Sequence, residues 1–188
     1  MTTVTITGAP LAIEDLLAVV HGAQVELDDK TRARIAAGRA VVDRALAGGE
    51  AVYGLTTQVG HGKDTRLTEE EIRGEQRFLV VSHSGGIGPP LPATIVRAAL
   101  AVRLNGIARG GSGASVAAAE ILAAMLNAGV HPVVPETASV GAADIGQMAG
   151  SGGPIPPLCD TTRKRCSPRI SSSVSRVSLP WPTWVVRP

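Results

Sequence analysis

Apolar residues recur with a helical period over most of residues 12–150, and the breaks in that period coincide with glycine, proline or clustered acids. Ile13, Leu16, Leu17 and Val20 fall on one face of a short helix that Gly22 can end. Asp28 or Asp29, acids suited to the positive end of a helix, opens a second segment. It runs through Ile35, Val42 and Leu46 to a stop at Gly48 and Gly49. Between these two, Val25–Leu27 predicts a short extended piece.

Thr68 and Glu71 have the spacing of a capping box, in which each residue satisfies an orphan backbone N–H near the other. The helix they open is expected to turn Ile72, Phe78 and Leu79 inward. It should stop near Ser82–His83, because the following Gly85, Gly86, Gly88, Pro89 and Pro90 cannot continue it. Another helix is predicted from Pro92 to Arg109, ahead of Gly110-Gly111-Ser112-Gly113. Ser115 caps a further one ending at Asn127–Gly129, and a last short helix is expected near Ala142 or Ala143. The fold class is all-α. Two glycine-bearing segments interrupt it, Tyr53–Asp64 and His83–Pro90, and loops of that length in a helical protein need a reason, either disorder or a site.

Composition supports this reading and adds a boundary. Among 188 residues there are one Phe, one Tyr and two Trp, too few for the aromatic cross-strand pairs of a sandwich or barrel. The same scarcity disfavours base-stacking nucleic-acid modules, and a net charge of +2 exerts no overall pull toward nucleic acid or acidic membranes. Residues 1–150 carry 12 basic and 15 acidic residues; residues 151–188 carry six basic residues against Asp160 alone. That second stretch also holds seven of the 13 prolines and shows neither helical nor strand period. Residues 1–150 are therefore read as the folded region. Residues 151–188 are read as a tail that is disordered or not the native continuation, with a basic tether for an anionic partner as the less favoured reading.

The opening residues lack a basic region followed by an apolar run, and the most apolar stretch, Ala114–Val130, is broken by Glu120 and Asn127. A soluble cytoplasmic protein is the default expectation. Cys159 and Cys166 match no zinc spacing, and His61 has no second ligand at helix spacing, so no metal is expected.

Taken in order, several segments are more specific than any is alone. Val52–Gly60 resembles the Tyr-Gly-containing loop of the histidine and aromatic amino-acid ammonia-lyases. Glu75–Gly88, with Ser82-His83, looks like their Leu-Gln…Ser-His…Gly-x-Gly segment. Arg97–Gly113, with Arg103-Leu104-Asn105, is similar to the helix and turn that follow, and Val130–Pro135 with Ser139–Ala142 resembles the approach to their cofactor-forming tripeptide. The resemblance covers residues 5–150. It implies a helical fold, a homotetramer with composite sites, and elimination of ammonia from a small amino-acid substrate. The β-proton to be removed is scarcely acidic, and the family meets this with methylidene-imidazolone, an electrophile made by cyclising and dehydrating an internal Ala-Ser-Gly. By resemblance Tyr53 is the catalytic base and His83 and Asn105 are substrate-binding. The Ser82-His83 pairing points to histidine, since an imidazole there would be left unpaired opposite an apolar side chain.

The chain departs from the family pattern where the electrophile is made. The family sequence Gly-Ser-Val-Gly-Ala-Ser-Gly-Asp-Leu is here Ala138-Ser-Val-Gly-Ala-Ala-Asp-Ile145, which places Ala142, Ala143 and Asp144 at the cofactor position. Alanine has no β-hydroxyl to lose, and the unhindered amide of glycine is missing too. The Tyr53 loop also differs, reading Thr56-Thr-Gln-Val-Gly60 where the family has Asn-Thr-Gly-Phe-Gly. The sequence thus predicts an ammonia-lyase with impaired chemistry. An aminomutase of the same family and a catalytically dead helical association module are the alternatives.

Overall fold

A computed structural model describes residues 2–58, 62–82 and 87–137. The first strand, β1 (Thr3–Thr5), leads through helix α1 (Ile13–Val20) to β2 (Gln24–Glu26), and the two strands pair in parallel with Val4 opposite Val25. Period-two alternation explains both strands, since Val4, Ile6, Val25 and Leu27 point inward while Thr3, Thr5 and Glu26 face solvent. Helix α2 (Asp29–Gly48) follows, then α3 (Glu69–Ser82), β3 (Ile87–Pro90), α4 (Ala93–Ala108), α5 (Val116–Asn127) and β4 (Pro135–Thr137). Strand β3 pairs antiparallel with β4. The architecture is mostly helical, with all four described strands only three or four residues long.

Local chemistry accounts for the helix ends. The Asp28 carboxylate accepts the N–H of Thr31 at 2.7 Å and caps α2, whose other end closes on Gly49 in the left-handed region. Ser115 caps α5 by accepting from the Ala118 N–H. The turn after α1 closes through Ala23 N–H donating to the Ala18 carbonyl, so the helix ends at the predicted glycine, Gly22.

Helix α4 is the central element. Its Val96, Leu100, Ala101, Leu104, Ile107 and Ala108 are buried, packed against α1 and α5 and against the α2 side. The facing positions of α5 are Ala119, Leu122, Ala123 and Leu126. The alanines on both helices leave room for close backbone approach, and the leucines fill the interval between them. Ile35 from α2, Val19 from α1 and Val134 complete the core.

Three details differ from the sequence expectation. On α1 the buried residue is Val19, while Ile13 and Leu17 stand 70% and 50% exposed. The period marks a face of Ile13, Leu16, Leu17 and Val20, but packing on α4 turns Val19 into the core and leaves only Leu16 and Val20 of that face partly covered. Phe78, expected inward on α3, is 66% exposed, whereas Ile72 is half-buried; the Leu79 side chain lies outside the described residues. Along α2 burial is complete at Ile35 and fades toward Leu46, so only its first half is covered. The helix anticipated at Ala142 or Ala143 also lies outside the described residues, as does the tail.

Polar side chains bind the helices to the strand layer. The Arg97 guanidinium donates to the carbonyls of Val19 (2.7 Å) and Val20 (3.2 Å) at the end of α1, and to that of Leu126 (3.0 Å) at the end of α5. The Asn127 amide pairs with both backbone groups of Val25, accepting from N–H at 2.7 Å and donating to C=O at 2.9 Å. It thereby acts as one more rung on the edge of β2. On the other side, Gly38 of α2 meets the turn after α4 so closely that a Cβ there would stand 1.8 Å from the Gly110 carbonyl oxygen.

Two substitutions test this frame. Arg97→Met is expected to lower unfolding free energy by about 2–4 kcal/mol, because it strands helix-end carbonyls that had a charged donor. Gly38→Ala should cost about 1–3 kcal/mol, because the obstruction is backbone and cannot rotate away. Denaturant midpoints at unchanged slope check both.

Candidate active site

Tyr53 sits on a turn built by its neighbours' hydroxyl and amide groups. The Val52 carbonyl accepts from the N–H groups of Leu55 (3.0 Å) and Thr56 (2.9 Å), which bends the chain directly beneath Tyr53. The Thr56 hydroxyl is buried, donates to the Glu50 carbonyl at 2.6 Å and accepts from the Val52 N–H at 2.7 Å. Thr57, also buried, pairs with Arg66 across an antiparallel bridge, flanked by Gln58 N–H to the Thr65 carbonyl and Leu67 N–H to the Thr56 carbonyl. The turn that carries Tyr53 is therefore anchored at its base, and Tyr53 itself is 64% exposed.

Helix α3 latches this unit. Gln76 Nε2 donates to the Gly54 carbonyl at 3.2 Å, and Gln58 Nε2 donates to Glu75 Oε1 at 3.2 Å. The interval between loop and helix, lined by Leu55, Leu67 and Ile72 among others, is closed to about 10 Å³. Thr56 and Gln58, two of the positions at which this loop differs from the family sequence, thus serve the turn and its latch.

Helix α3 is itself begun by the predicted capping box. Glu71 Oε2 accepts from the Thr68 N–H (2.7 Å) and hydroxyl (2.8 Å), while the Thr68 hydroxyl faces the Glu71 N–H at 3.4 Å. The Thr68 backbone N–H, and next its hydroxyl, hold the Glu71 carboxyl below its ordinary value. At the far end α3 terminates at Ser82, immediately before His83, which lies outside the described residues. Ala142, Ala143 and Asp144 lie outside them as well.

Asn105, on the last turns of α4, is half-buried. Its Oδ1 accepts from the Gly8 N–H at 3.0 Å and its Nδ2 donates to the Ala9 carbonyl at 2.9 Å. Both ends of the amide are engaged by the turn that leaves the strand layer. Arg34 works beside it, donating from Nε to the Ala108 carbonyl at 2.9 Å and from Nη2 to the Thr7 carbonyl. The sequence carried no local signal for Arg34 or Arg97 as anchors, because the carbonyls they bind lie 27 to 78 positions away.

Among the described residues no group of three or more His, Cys, Asp or Glu side chains is placed to hold a metal, and no helix is long and apolar enough to cross a membrane. The methylidene-imidazolone position can be judged on donor chemistry alone. Ala142-Ala143-Asp144 offers neither a hydroxyl to eliminate nor a glycine nitrogen to close the ring, so the residues do not fit that group.

Comparison with known proteins follows the same lines. Residues 11–156 match the sequence model of the aromatic amino acid lyases. Histidine ammonia-lyase of Treponema denticola is 41% identical over 148 residues, a match covering 78% of this chain and 29% of that enzyme. That of Anaeromyxobacter dehalogenans is 41% identical over 151 residues, covering 79% and 30%. The chain spans about three-tenths of the length of the curated relatives it matches. Among solved structures, ergothionase from T. denticola superposes with a TM-score of 0.74 at 34% identity, covering 80% of this chain and 30% of that one. Histidine ammonia-lyase from Trypanosoma cruzi superposes with a TM-score of 0.70 at 32% identity, covering 79% and 29%.

The capping box gives a pH-dependent prediction. Because the folded Glu71 carboxyl is held below its unfolded value, its contribution is fully present above the unfolded pKa. It is lost as pH falls through the depressed folded value. Glu71→Gln should therefore lower the thermal midpoint at neutral pH, where the ionised carboxylate contributes, and converge on the unsubstituted chain as pH falls, so that the acid limb of the stability–pH profile flattens.

Proposed function

Since this chain belongs to the aromatic amino acid lyase family, we propose that its fold serves the elimination of ammonia from an amino acid, with histidine, giving urocanate, as the favoured substrate. In this reading Tyr53 removes the β-proton and His83 meets the substrate's ring. Asn105, whose amide is engaged by Gly8 and Ala9, is the second substrate-binding residue that the resemblance implies. A phenol ionises near 10 in water, so a tyrosine acting as base at neutral pH depends on donors at its oxygen or nearby positive dipoles. The observation that carries the reading is the anchored turn that presents Tyr53 and is latched to α3, the helix that precedes His83 in the chain. The homotetramer with composite sites, and the cytoplasmic location, belong to the same proposal.

Ala142-Ala143-Asp144 directs the reading of this particular chain. Without the hydroxyl, it holds a base with no internally made acceptor, and its own turnover is impaired. No reaction step is therefore assigned through that group. A second reading, a catalytically silent helical module, is favoured by the same alanine. An aminomutase shares the elimination half-reaction, and tyrosine aminomutase from Streptomyces globisporus superposes with a TM-score of 0.71 at 30% identity over 79% of this chain and 28% of that one.

A chimera separates these readings. Residues 1–137 would replace the matching segment of a full-length histidine ammonia-lyase that keeps its own Ala-Ser-Gly. The chimera is expected to raise ultraviolet absorbance by forming urocanate from L-histidine, and Tyr53→Phe within it should lower kcat by about 10²–10⁴. A folded tetrameric chimera without activity, or one indifferent to Tyr53→Phe, would overturn the assignment. The 188-residue chain alone should form no product and carry no borohydride-sensitive electrophile.

A further inference from the structure

Where the end of α4 meets the start of α2, an open cleft of about 460 Å³ is lined by Thr7, Gly8, Asp28, Lys30, Arg34 and Arg109, with Ala9 and Thr31 between them. None of these residues belongs to the Tyr53 loop. We propose that this cleft binds a small dianionic oxyanion, inorganic phosphate or the phosphate group of a monoester.

The argument begins with Arg34. Its Nε holds the Ala108 carbonyl, and its Nη2 holds the Thr7 carbonyl and the Thr31 hydroxyl (3.3 Å), so the guanidinium is fixed in a half-buried position. Those bonds use three of its five donors, and among the described residues Nη1 has no partner. A cation immobilised by its own fold has already lost the rotamer freedom that binding would otherwise remove.

Lys30 and Arg109 add charge that the fold does not need. Both are exposed, and neither side chain takes part in an ion pair or hydrogen bond among the described residues. Arg109 caps the C-terminus of α4, where the helix dipole alone would favour a cation. Lys30 is different: it occupies the first turn of α2, where the same dipole disfavours positive charge. An anion bound at the helix start would compensate a lysine at that point.

The helix start contributes as well. Asp28 engages Thr31 through both its N–H and its side chain, leaving the earlier first-turn N–H groups without an intrahelical acceptor. Asp28 is the single carboxylate in the lining, and it stays ionised, held low first by the Thr31 side chain and backbone bonds and then by Arg34 and Lys30. Three cations therefore face one carboxylate. That balance suits a doubly charged ligand better than a monocarboxylate, and the planar, fixed guanidinium suits the tetrahedral face of a phosphate.

Amide NMR of the 188-residue chain tests this independently of any lyase activity. Titration with sodium phosphate, against sodium chloride at matched ionic strength and pH, should give saturable shifts at Gly8, Ala9, Lys30 and Thr31. The double variant Lys30→Ala/Arg109→Ala removes only exposed side chains; its spectrum should otherwise be retained and its phosphate affinity should fall at least about tenfold. Glycerol phosphate binding more tightly than free phosphate would identify a monoester as the occupant, and equal affinity would identify the free ion. Shifts that chloride reproduces, that fail to saturate, or that persist in the double variant would overturn the proposal.

Discussion

A single guanidinium spans the ends of two helices, and the packing of the molecule is organised around it. Arg97 projects from the central helix α4 into the carbonyl ends of α1 and α5, where both helix dipoles concentrate negative charge. Leaving those carbonyls without donors at a half-buried position would cost more than the bonds contribute when formed. The alanine-rich contact between α4 and α5 brings the backbones together, and Arg97 sets where α1 ends relative to both. Asn127 then continues the same logic by offering its amide as a rung to β2. The strand layer is thus attached to the helices by side chains that imitate backbone.

The Tyr53 loop uses a second version of this device. Hydroxyls of Thr56 and amides of Gln58 and Gln76 occupy backbone or carboxylate partners, so that the turn is held from below and from α3 while Tyr53 is exposed. The loop's departures from the family sequence are therefore compatible with an ordered presentation of Tyr53. The departure at Ala142-Ala143-Asp144 is of another kind, because no packing arrangement creates a hydroxyl.

Uncovered apolar side chains follow a pattern too. Ile13 and Leu17 on α1 and Ile95 and Val102 on α4 are exposed, and α1 and α4 are packed on one another. Phe78 stands out from α3 in the same way. The sequence period marked Ile13, Leu17 and Phe78 as inward, because the pattern describes which faces are apolar, not what covers them.

Local information was enough for the helices and their ends. Asp28, Thr68 with Glu71, Ser115, and the glycines after α1 and α2 act within a few residues, so their roles are legible from spacing alone. Strand β1 went unread, because the alternation of Thr3, Val4, Thr5 and Ile6 is a signal too short to outweigh the helical pattern around it. The order of motifs around Tyr53, His83 and Asn105 identified the family, and the missing hydroxyl at Ala143 was visible in the residues alone. What tertiary structure decided is everything carried by partners distant in sequence. Arg34 and Arg97 seek carbonyls on other elements, Asn105 closes on Gly8 and Ala9, and Gly38 is required by Gly110. A periodic pattern encodes which side of an element avoids water, whereas a hydrogen bond between distant segments depends on an orientation that exists only after the core has packed.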